Sequence, residues 1–416
     1  MAPEGPQTAA SGLAAQSVAD GASDGSDGSG DDGASDGAGD GGEDSGVLPE
    51  PTAVGPRGLL LAQSWDARDV PLGAGAGQYG VIVLQESMSS LLPEVRAANP
   101  HATVLAYQKV GGMRADGGDH ASTELRIDQA DEAWFLHDAD GERLFYCDYP
   151  EVAAANVGHP GYQQAWREAV AERLLRDGFD GVMMDDVNTF PGHCLGSRGV
   201  PIAEYETDAA YGEAVVGFML AVGPALQADG LAVAPNIAMN PWDDTMRDQA
   251  HRMLPGVTHW LREYWMRWDD SENFTGDMWA STLNTMVAAQ AAGVGYLALT
   301  LGPGAEGVEA GQRYGRAAWL LAWDGVSDSH WGYLDASRSG DPYGPGWGDD
   351  LGRPTEPAAE ADGGWRRSYE RGVVVVHPEA GAPITVDLGG AYIDAGGTRV
   401  TAVTLASGDA AILTRE

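Results

Sequence analysis

Carboxylates occur in or next to two predicted strands, at positions where they could hydrolyse a sugar linkage. Asp185 and Asp186 come directly after the apolar residues 182–184, and Glu263 lies in a second predicted strand, residues 258–264. Glycoside hydrolysis needs one carboxylate that stays ionised as nucleophile or base and another that holds a proton as general acid. We therefore predict that Asp185 is the nucleophile or base and Glu263 the general acid or acid/base, with Asp186 as a further catalytic candidate.

Each of these acids also has a purely structural explanation. Asp186 would then cap a turn after the strand, and Asp185 would be a solvated loop acid. Glu263 has Arg262 and Arg267 close by in the sequence, so it would be an ion-paired structural carboxylate. The sequence leaves both kinds of explanation open.

Aromatic and polar residues near the predicted strand ends are candidates for substrate binding. Aromatic rings stack on sugar faces, and amide or ammonium groups donate hydrogen bonds to hydroxyls. The candidates are Trp65, Tyr107, Lys109, Asn236, Tyr264 and Trp323. A structural role in the core or at the rim is the alternative for each tryptophan. No histidine pair has the i, i+4 spacing of a helical metal site, so neither a metal nor a cofactor is predicted.

Strands and helices that alternate along the chain would position these side chains. The predicted strands are residues 58–62, 79–84, 102–107, 180–185, 231–234, 258–264, 294–301 and 331–334. The helix predicted at residues 160–177 is amphipathic and precedes Gly178, which suits a left-handed helix end. Eight alternating units predict an α/β fold, a TIM-type (β/α)8 barrel. A doubly wound sheet is the alternative, although no G-x-G-x-x-G motif follows the first strand.

Composition divides the chain into three parts. Residues 1–55 form a Ser-, Asp- and Gly-rich acidic tail. We predict that this tail is disordered, because it has too few apolar residues to offset the entropy of ordering. Residues 56–353 are the predicted barrel, which would be the catalytic domain. Residues 354–416 are a predicted small C-terminal antiparallel β domain, since short apolar strands alternate there with glycine turns.

The chain is strongly acidic, with a formal net charge of -38 and a single lysine, Lys109. The tail holds 11 acidic residues and no basic ones, so 51 acids and 24 bases remain in the rest of the chain. Phosphate binding requires a basic surface, which argues against nucleic acid as a partner. Acidity of this kind suits work in high salt, and we predict a halophilic source. An acidic protein from a high-GC organism that prefers arginine is the alternative.

Location and redox state are only partly predicted. No apolar run approaches the roughly 18 residues of a membrane helix, so no membrane span is expected. The first residues lack the regions of a secretory signal, whereas the tether-like tail suggests an extracellular location. The oligomeric state stays open.

Cys147 and Cys194 follow the third and fourth predicted strands. They form either a disulfide or two free thiols, and a disulfide would indicate an oxidising compartment.

Three motifs carry a family resemblance. They are Trp134-Phe135-Leu136 with Asp140-Gly141, His159-Pro160-Gly161-Tyr162-Gln163-Gln164-Ala165-Trp166, and Phe179-Asp180-Gly181-Val182-Met183-Met184-Asp185-Asp186-Val187-Asn188. Over roughly residues 57–416 the chain resembles the hypothetical glycosyl hydrolase group fifteen, and more loosely the endo-α-1,4-polygalactosaminidases. The resemblance implies a TIM-type barrel with carboxylates at strands four and six. A polysaccharide or oligosaccharide substrate is predicted from the paired carboxylates and the aromatic residues instead. Where that family has Asp-Val-Gly-Asn-Pro, this chain has Asn156-Val157-Gly158-His159-Pro160, which lacks the acid.

Two other functions fit the same sequence. A non-catalytic carbohydrate-binding barrel would bind glycans without turnover. A surface-displayed structural protein, carried on the acidic tail, would have a strand-end face without paired acids.

Overall fold

The structure is a computed structural model that describes residues 59–416, apart from residues 74, 115–124, 126, 129, 269–271, 303–307, 336–343 and 345. These residues belong to one structural unit. The predicted disordered tail, residues 1–55, lies outside the described residues.

Eight parallel strands form a barrel. In chain order the first ten strands are β1 (Leu60–Ser64), β2 (Tyr79–Gln85), β3 (Thr103–Lys109), β4 (Gly112–Arg114), β5 (Val152–Ala154), β6 (Gly181–Asp185), β7 (Ala232–Pro235), β8 (His259–Arg262), β9 (Gly295–Gly302) and β10 (His330–Asp335). β4 and β5 form a separate antiparallel pair, and the other eight lie in the order β7-β6-β3-β2-β1-β10-β9-β8. A parallel bridge between Asn236 and Leu261 joins the two edges of this sheet. The predicted (β/α)8 barrel is therefore confirmed.

Alternate residues of the strands fill the inside of the barrel. One buried apolar cluster contains Leu61, Leu105, Met183, Leu261 and Leu297, each from a different strand. Successive side chains of a strand point to opposite faces, so the residues between these point outwards and pack under the helices. The middle of the barrel is a packed core, and a site can form only at its ends.

Six α-helices pack around the described strands. They are α1 (Leu92–Ala98), α2 (Pro160–Asp177), α3 (Asp208–Ala228), α4 (Asp244–Arg252), α5 (Gly276–Ala291) and α6 (Val308–Ala322). α2 has the bounds predicted from the sequence, with Tyr162, Trp166 and Val170 buried along one stripe. Gly178 ends this helix in the left-handed conformation, at φ 86°. The chain that leaves this glycine enters β6, which carries Asp185 at its far end.

α3 is long and apolar enough, by length and composition, to cross a membrane. Half of its most apolar stretch is buried inside the protein, where Val215, Phe218 and Met219 join the main hydrophobic core. A helix that is apolar on most of its faces is also what the core of a large soluble fold requires.

The long segment between β3 and α2 adjoins the carboxyl ends of the barrel strands. It contains the β4–β5 pair, and within it the hydroxyl of Tyr146 donates a hydrogen bond to the carbonyl oxygen of Gly111 at 2.6 Å. A disulfide joins Cys147 of this segment to Cys194 of the loop after β6, with the two Cα atoms 6.0 Å apart. Of the two states that the sequence left open for these cysteines, the structure shows the disulfide.

The C-terminal residues form an antiparallel sheet, as predicted, and this sheet has six strands. Its strands are β11 (Ala359–Ala361), β12 (Gly364–Tyr369), β13 (Gly372–His377), β14 (Ile384–Ile393), β15 (Arg399–Leu405) and β16 (Asp409–Arg415). Val373 and Val375 fill a core of the sheet itself, whereas Val374 and Val376 join the main hydrophobic core, which includes the helices around the barrel. The sheet therefore packs on the barrel through one face of β13. The domain boundary at residue 354 stays a prediction.

Candidate active site

The carboxyl ends of β6, β7 and β8 bring two carboxyl groups to one amide. Asp185 is the last residue of β6, and Glu263 directly follows β8. Between them lies Asn236, which directly follows β7. Its Nδ2 donates to Oδ1 of Asp185 at 3.2 Å and to Oε2 of Glu263 at 2.9 Å. The two accepting oxygens are therefore no farther apart than the sum of these two distances.

Strand geometry explains why these three side chains meet. Each comes two positions after a residue of the barrel interior, and side chains two positions apart share a face of a strand. The three interior residues are Met183, Ala234 and Leu261. The main-chain N–H of Glu263 also donates to Oδ1 of Asn236 at 3.4 Å. This contact orients the amide of Asn236 with its nitrogen towards the carboxyl groups.

Each carboxyl group accepts a second hydrogen bond from another strand. The hydroxyl of Tyr107, from β3, donates to Oδ2 of Asp185. Nε2 of Gln63, from β1, donates to Oε1 of Glu263 at 3.2 Å. Burial raises the pKa of Tyr107 well above its ordinary value, and the charge of Asp185 adds to the effect. Tyr107 therefore keeps its proton and remains a donor to Asp185.

Glu263 is a carboxyl group that can hold a proton near neutral pH. Burial raises its pKa from the ordinary 4.5 to about 7, and the charge of Asp185 acts in the same direction. Hydrogen bonds from Gln63 and Asn236 oppose the increase without cancelling it. Two carboxyl groups at this separation favour a state in which one of them is protonated. The surroundings of Glu263 make it the group that carries this proton.

Asp186 contacts a different set of groups. Its backbone is in the left-handed region, at φ 59°, which takes its side chain out of the alternation of β6. It forms an ion pair with Lys109 and contacts Nε2 of His193 at 3.2 Å. Burial alone would raise the pKa of Asp186, but Lys109 and His193 outweigh burial and lower it. Asp186 is therefore ionised and paired, in contrast to Glu263.

Two tyrosines surround this ion pair. The ring of His193 stacks on Tyr146 with the centroids 4.0 Å apart, and Nζ of Lys109 lies 5.5 Å from the centroid of Tyr149. Burial alone would lower the pKa of His193, but the hydrogen bond to Asp186 outweighs it and raises the pKa. Lys109, Asp186 and His193 thus form a second cluster, with charges that alternate in sign, next to the Asp185–Glu263 pair.

The disulfide anchors this second cluster. Cys194 follows His193 in the chain, and the main-chain N–H of Cys147 donates to the carbonyl oxygen of His193 at 3.4 Å. Asp148, next to Cys147, contacts Nδ1 of His193 at 3.4 Å. The two loops joined by the disulfide therefore hold His193 against Asp186.

Among the predicted substrate-binding residues, Trp65 and Tyr264 lie near the carboxyl end of the barrel. Trp65 follows β1 and packs edge-on against Tyr107, with the ring centroids 5.1 Å apart, and 36% of its surface is exposed. Tyr264 is at φ 58° and packs beside Trp268, with the centroids 5.4 Å apart. With Tyr107, Lys109 and Asn236, five of the six predicted binding residues lie around the two clusters or next to them.

The structure does not bring Trp323 to this site. Trp323 follows α6, stacks on Trp319 with the ring centroids 5.5 Å apart, and donates from Nε1 to the carbonyl oxygen of Ser327 at 3.2 Å. α6 leads into the amino end of β10, so Trp323 lies at the end of the barrel opposite to Asp185. The sequence prediction accepted any residue near a strand end, and it did not distinguish the carboxyl end of a strand from the amino end.

Several residues of the site are absent from the sequence prediction, and they include Gln63, Tyr146, Tyr149 and His193. Gln63 comes two positions after the interior residue Leu61, so strand alternation alone would have found it. His193 and Tyr149 lie in loops, and only the disulfide and the position of Lys109 show that they reach the site. The sequence carries no spacing signal for these two.

The described carboxyl groups of the site do not form a group with metal-ligand spacing. Two groups among the described residues do have that spacing: Cys147 with Asp148 and Cys194, beside His193, and His259 with Asp328 and His330, at the amino end of the barrel. The first group contains the disulfide, whose sulfurs are already bonded to each other.

An eight-stranded parallel barrel with paired carboxyl groups at its carboxyl end is an architecture of glycoside hydrolases. Residues 96–373 match the hypothetical glycosyl hydrolase family 15. The chain belongs to this glycosyl hydrolase family, as its motifs predict. The looser likeness to endo-α-1,4-polygalactosaminidases stays a prediction.

Several solved structures of glycosidases and amylases are similar to the chain at low sequence identity. Similar structures include a β-L-arabinopyranosidase from Geobacillus stearothermophilus, at 10% identity and TM-score 0.49, covering 87% of this chain and 97% of that one. A maltogenic α-amylase from Thermotoga neapolitana has 10% identity and TM-score 0.47, covering 86% and 96%. An α-amylase from Malbranchea cinnamomea has 11% identity and TM-score 0.44, covering 86% and 95%. The comparison with curated proteins gave no match.

Proposed function

We propose that this protein is a retaining glycoside hydrolase in which Asp185 is the nucleophile and Glu263 the acid/base. The observation that carries the proposal is the shared amide of Asn236. Its two hydrogen bonds, at 3.2 and 2.9 Å, limit the separation of the accepting carboxyl oxygens. That limit applies to the two accepting oxygens, and it includes the 5–5.5 Å at which the two carboxyl groups of retaining enzymes lie.

In the first step, Glu263 donates its proton to the glycosidic oxygen while Oδ1 or Oδ2 of Asp185 attacks the anomeric carbon. The bond from that carbon to the leaving oxygen breaks, and a glycosyl ester of Asp185 forms. The pKa of Glu263, raised to about 7 mainly by burial, supports the acid role near neutral pH. Asn236 and Tyr107 keep the attacking carboxyl group in place.

In the second step, the ionised Glu263 takes a proton from water, and the water oxygen attacks the anomeric carbon. The ester bond to Asp185 breaks, and the sugar leaves with its original anomeric configuration. Loss of the Asp185 charge in the ester lowers the pKa of Glu263, because that charge is one of the causes of the increase. The same residue is therefore suited to be an acid in the first step and a base in the second.

The surrounding residues support sugar binding. Trp65 is partly exposed beside Tyr107 and offers a face for stacking. The paired charges of Lys109, Asp186 and His193 offer donors and acceptors to sugar hydroxyls. In this proposal Asp186 is a binding residue, because its charge is already paired with Lys109.

A pooled glycan digestion screen in molar salt would identify the substrate. On that substrate, the anomer that appears first in the NMR spectrum reports retention or inversion, and mass spectrometry would find the glycosyl ester on Asp185. Asp185→Asn and Glu263→Gln should each remove most turnover while glycan binding remains, since each keeps the shape and loses the charge or the proton. Asp186→Asn should reduce activity less.

Glu94→Gln is a matched control, because Glu94 is an exposed acid of α1. An inverted product would contradict the retaining mechanism while leaving the hydrolase function standing. Wild-type rates in both Asp185→Asn and Glu263→Gln would refute the carboxyl pair. Glycan binding without turnover across the whole panel would indicate the non-catalytic carbohydrate-binding barrel instead.

A further inference from the structure

The amino end of the barrel interior holds two buried imidazoles. His259 begins β8 and His330 begins β10, and their exposed fractions are 5% and 4%. By strand alternation, His259 shares its face with Leu261 and His330 shares its face with Leu334, and both leucines pack in the barrel interior. Barrel interiors are filled mainly by branched apolar residues, so a layer with two histidines is a departure to be explained.

Asp328 lies against both rings. Its Oδ2 is 3.0 Å from Nε2 of His259, and its Oδ1 is 2.7 Å from Nε2 of His330. One atom from each of the three residues can be chosen so that all lie within 4.8 Å of one another. A tetrahedral ion with bonds of about 2.0–2.2 Å spaces its ligand atoms roughly 3.4 Å apart. Small side-chain rotations would therefore bring the three groups onto one ion.

Gly295 has no side chain, and His259 and Asp328 occupy the space that a side chain there would need. It lies on β9, between the two histidine-bearing strands, and pairs in register with His259. A Cβ at this position would lie 2.5 Å from Cδ2 of His259 and 2.3 Å from the carbonyl oxygen of Asp328. Any larger residue would push the cluster apart, so the strand between the two rings is fitted to their approach.

The second nitrogen of His259 has a hydrogen-bond partner of its own, which can fix the tautomer of the ring. Nδ1 of His259 lies 2.9 Å from the hydroxyl of Thr258, and this hydroxyl lies 3.0 Å from the carbonyl oxygen of Val233. The hydroxyl has one hydrogen, and when it serves the carbonyl, Nδ1 carries the imidazole hydrogen. A neutral His259 then turns the lone pair of Nε2 towards Asp328, and a cation between them satisfies both groups.

Among the side-chain hydrogen bonds of the described residues, the one that His330 forms is with Asp328. Its Nδ1 is buried and has no hydrogen-bond partner in the part of the chain that the structure describes. A cavity of about 360 Å³ adjoins the cluster, and its lining includes His259, Asp328, Thr258 and Ser327. The cavity gives an ion access to the cluster and leaves room for solvent beside it.

We propose that His259, His330 and Asp328 bind a divalent transition-metal ion, with Zn²⁺ as the fitting class. Two imidazole nitrogens and one carboxylate suit zinc, whereas calcium and magnesium prefer all-oxygen sites. Solvent from the cavity completes the coordination. The ion links β8 to β10 across β9, at the end of the barrel opposite to Asp185 and Glu263. This metal site does not depend on the proposed hydrolysis.

The test uses the tag-free full-length protein with its disulfide intact. After EDTA treatment the protein is loaded with ZnCl₂ in an excess of Mg²⁺, desalted, and assayed for zinc by elemental mass spectrometry. We expect about one zinc per chain, a value that falls at least tenfold in Asp328→Asn and in the double variant His259→Gln/His330→Gln. Zinc should raise the Tm of the wild type by several degrees and leave the Tm of these variants unchanged, because only a site in the folded state gains stability.

His101→Gln is the matched control, since His101 is an exposed histidine outside the cluster, and it should hold as much zinc as the wild type. Zinc content that is the same in Asp328→Asn and the wild type would overturn the proposal, because the acidic surface would then be the source of binding. A wild type that holds no zinc after desalting would overturn it as well, and this result needs no variant to fold.

Discussion

Asn236 and Glu263 are joined by two hydrogen bonds of opposite direction. Nδ2 of Asn236 donates to Oε2 of Glu263 at 2.9 Å, and the main-chain N–H of Glu263 donates to Oδ1 of Asn236 at 3.4 Å. The same nitrogen also donates to Asp185 at 3.2 Å. A neutral side chain therefore sets both the separation and the orientation of the two carboxyl groups.

Asn236→Ala should lower kcat/KM by about 100-fold, which is the usual effect of removing one preorganised donor. The hydrogen bond from Asn236 lowers the pKa of Glu263, so its removal should raise that pKa further. Activity that needs protonated Glu263 falls as pH rises through this pKa. The alkaline limb of kcat/KM should therefore lie at higher pH in Asn236→Ala than in the wild type.

Asn240→Ala is the matched control for this shift. Asn240 lies in the same loop after β7, and its side chain accepts a hydrogen bond from the N–H of Trp242 at 3.1 Å. Asn240→Ala should leave the alkaline limb of kcat/KM at the same pH as in the wild type. A lower rate in Asn236→Ala with an unmoved alkaline limb would show that Asn236 acts only as a structural residue.

Glu263→Gln should change how stability depends on pH. The pKa of Glu263 is raised from 4.5 to about 7 in the folded state. Its contribution to stability is therefore fully present below about pH 4.5 and is lost as pH rises through 7. This loss amounts to roughly 3 kcal/mol in the free energy of unfolding. Glutamine does not titrate, so the variant should gain stability relative to the wild type between pH 5 and pH 8.

Urea unfolding at pH 5 and pH 8 measures this difference. Glu94→Gln, at an exposed position, should show the same small offset from the wild type at both pH values. If Glu263→Gln differs from the wild type by equal amounts at pH 5 and pH 8, then Glu263 is not the buried acid described above.

Much of this site follows from strand alternation, and the sequence is sufficient for that part. The apolar run before Asp185 predicts β6, and the barrel places its carboxyl end at the site. The same rule applied to Leu61 would also have given Gln63. Alternation works here because inward residues of a closed barrel have no other place to point.

The loop residues of the site could not be predicted in this way. Asp186 leaves the alternation of β6 because its φ is 59°, and His193 has a left-handed backbone too, at φ 53°. Their contact depends on the disulfide between two loops that are far apart in sequence. Loops of this length have no repeating pattern, so only the folded chain shows which of their side chains meet.

The double variant Cys147→Ser/Cys194→Ser should be less stable by about 2–4 kcal/mol, because the unfolded chain gains the freedom of a loop that the disulfide closes. It should also raise KM more than it lowers kcat. The disulfide holds His193 against Asp186, in the cluster that we propose for sugar binding. The carboxyl pair has no contact with the disulfide among the described hydrogen bonds.

Reduction of the wild type with a phosphine should reproduce both effects, and the double variant should not respond to the reductant. Thiol titration of the denatured, unreduced protein should find no free thiol. Two free thiols per chain would refute the pairing, and an unchanged KM in the double variant would separate the disulfide from substrate binding.

Salt should stabilise this protein strongly. Outside the predicted tail, 51 acidic residues face 24 basic ones, and like charges repel one another across the folded surface. The screening length falls from about 10 Å at 0.1 M salt to about 3 Å at 1 M. The repulsion is greater in the compact state than in the unfolded chain, so its removal favours folding. We expect the Tm to rise markedly between about 0.1 M and 2 M KCl.

Sucrose at matched osmolality separates screening from general exclusion, because it favours the compact state without screening charge. A Tm that rises with KCl well beyond the sucrose effect would support the prediction of a halophilic source. Adaptation to high salt would be refuted by a Tm that does not change with KCl. An equal rise in both solutes would assign the stabilisation to exclusion from the protein surface, and the net charge of -38 would then have no role in it.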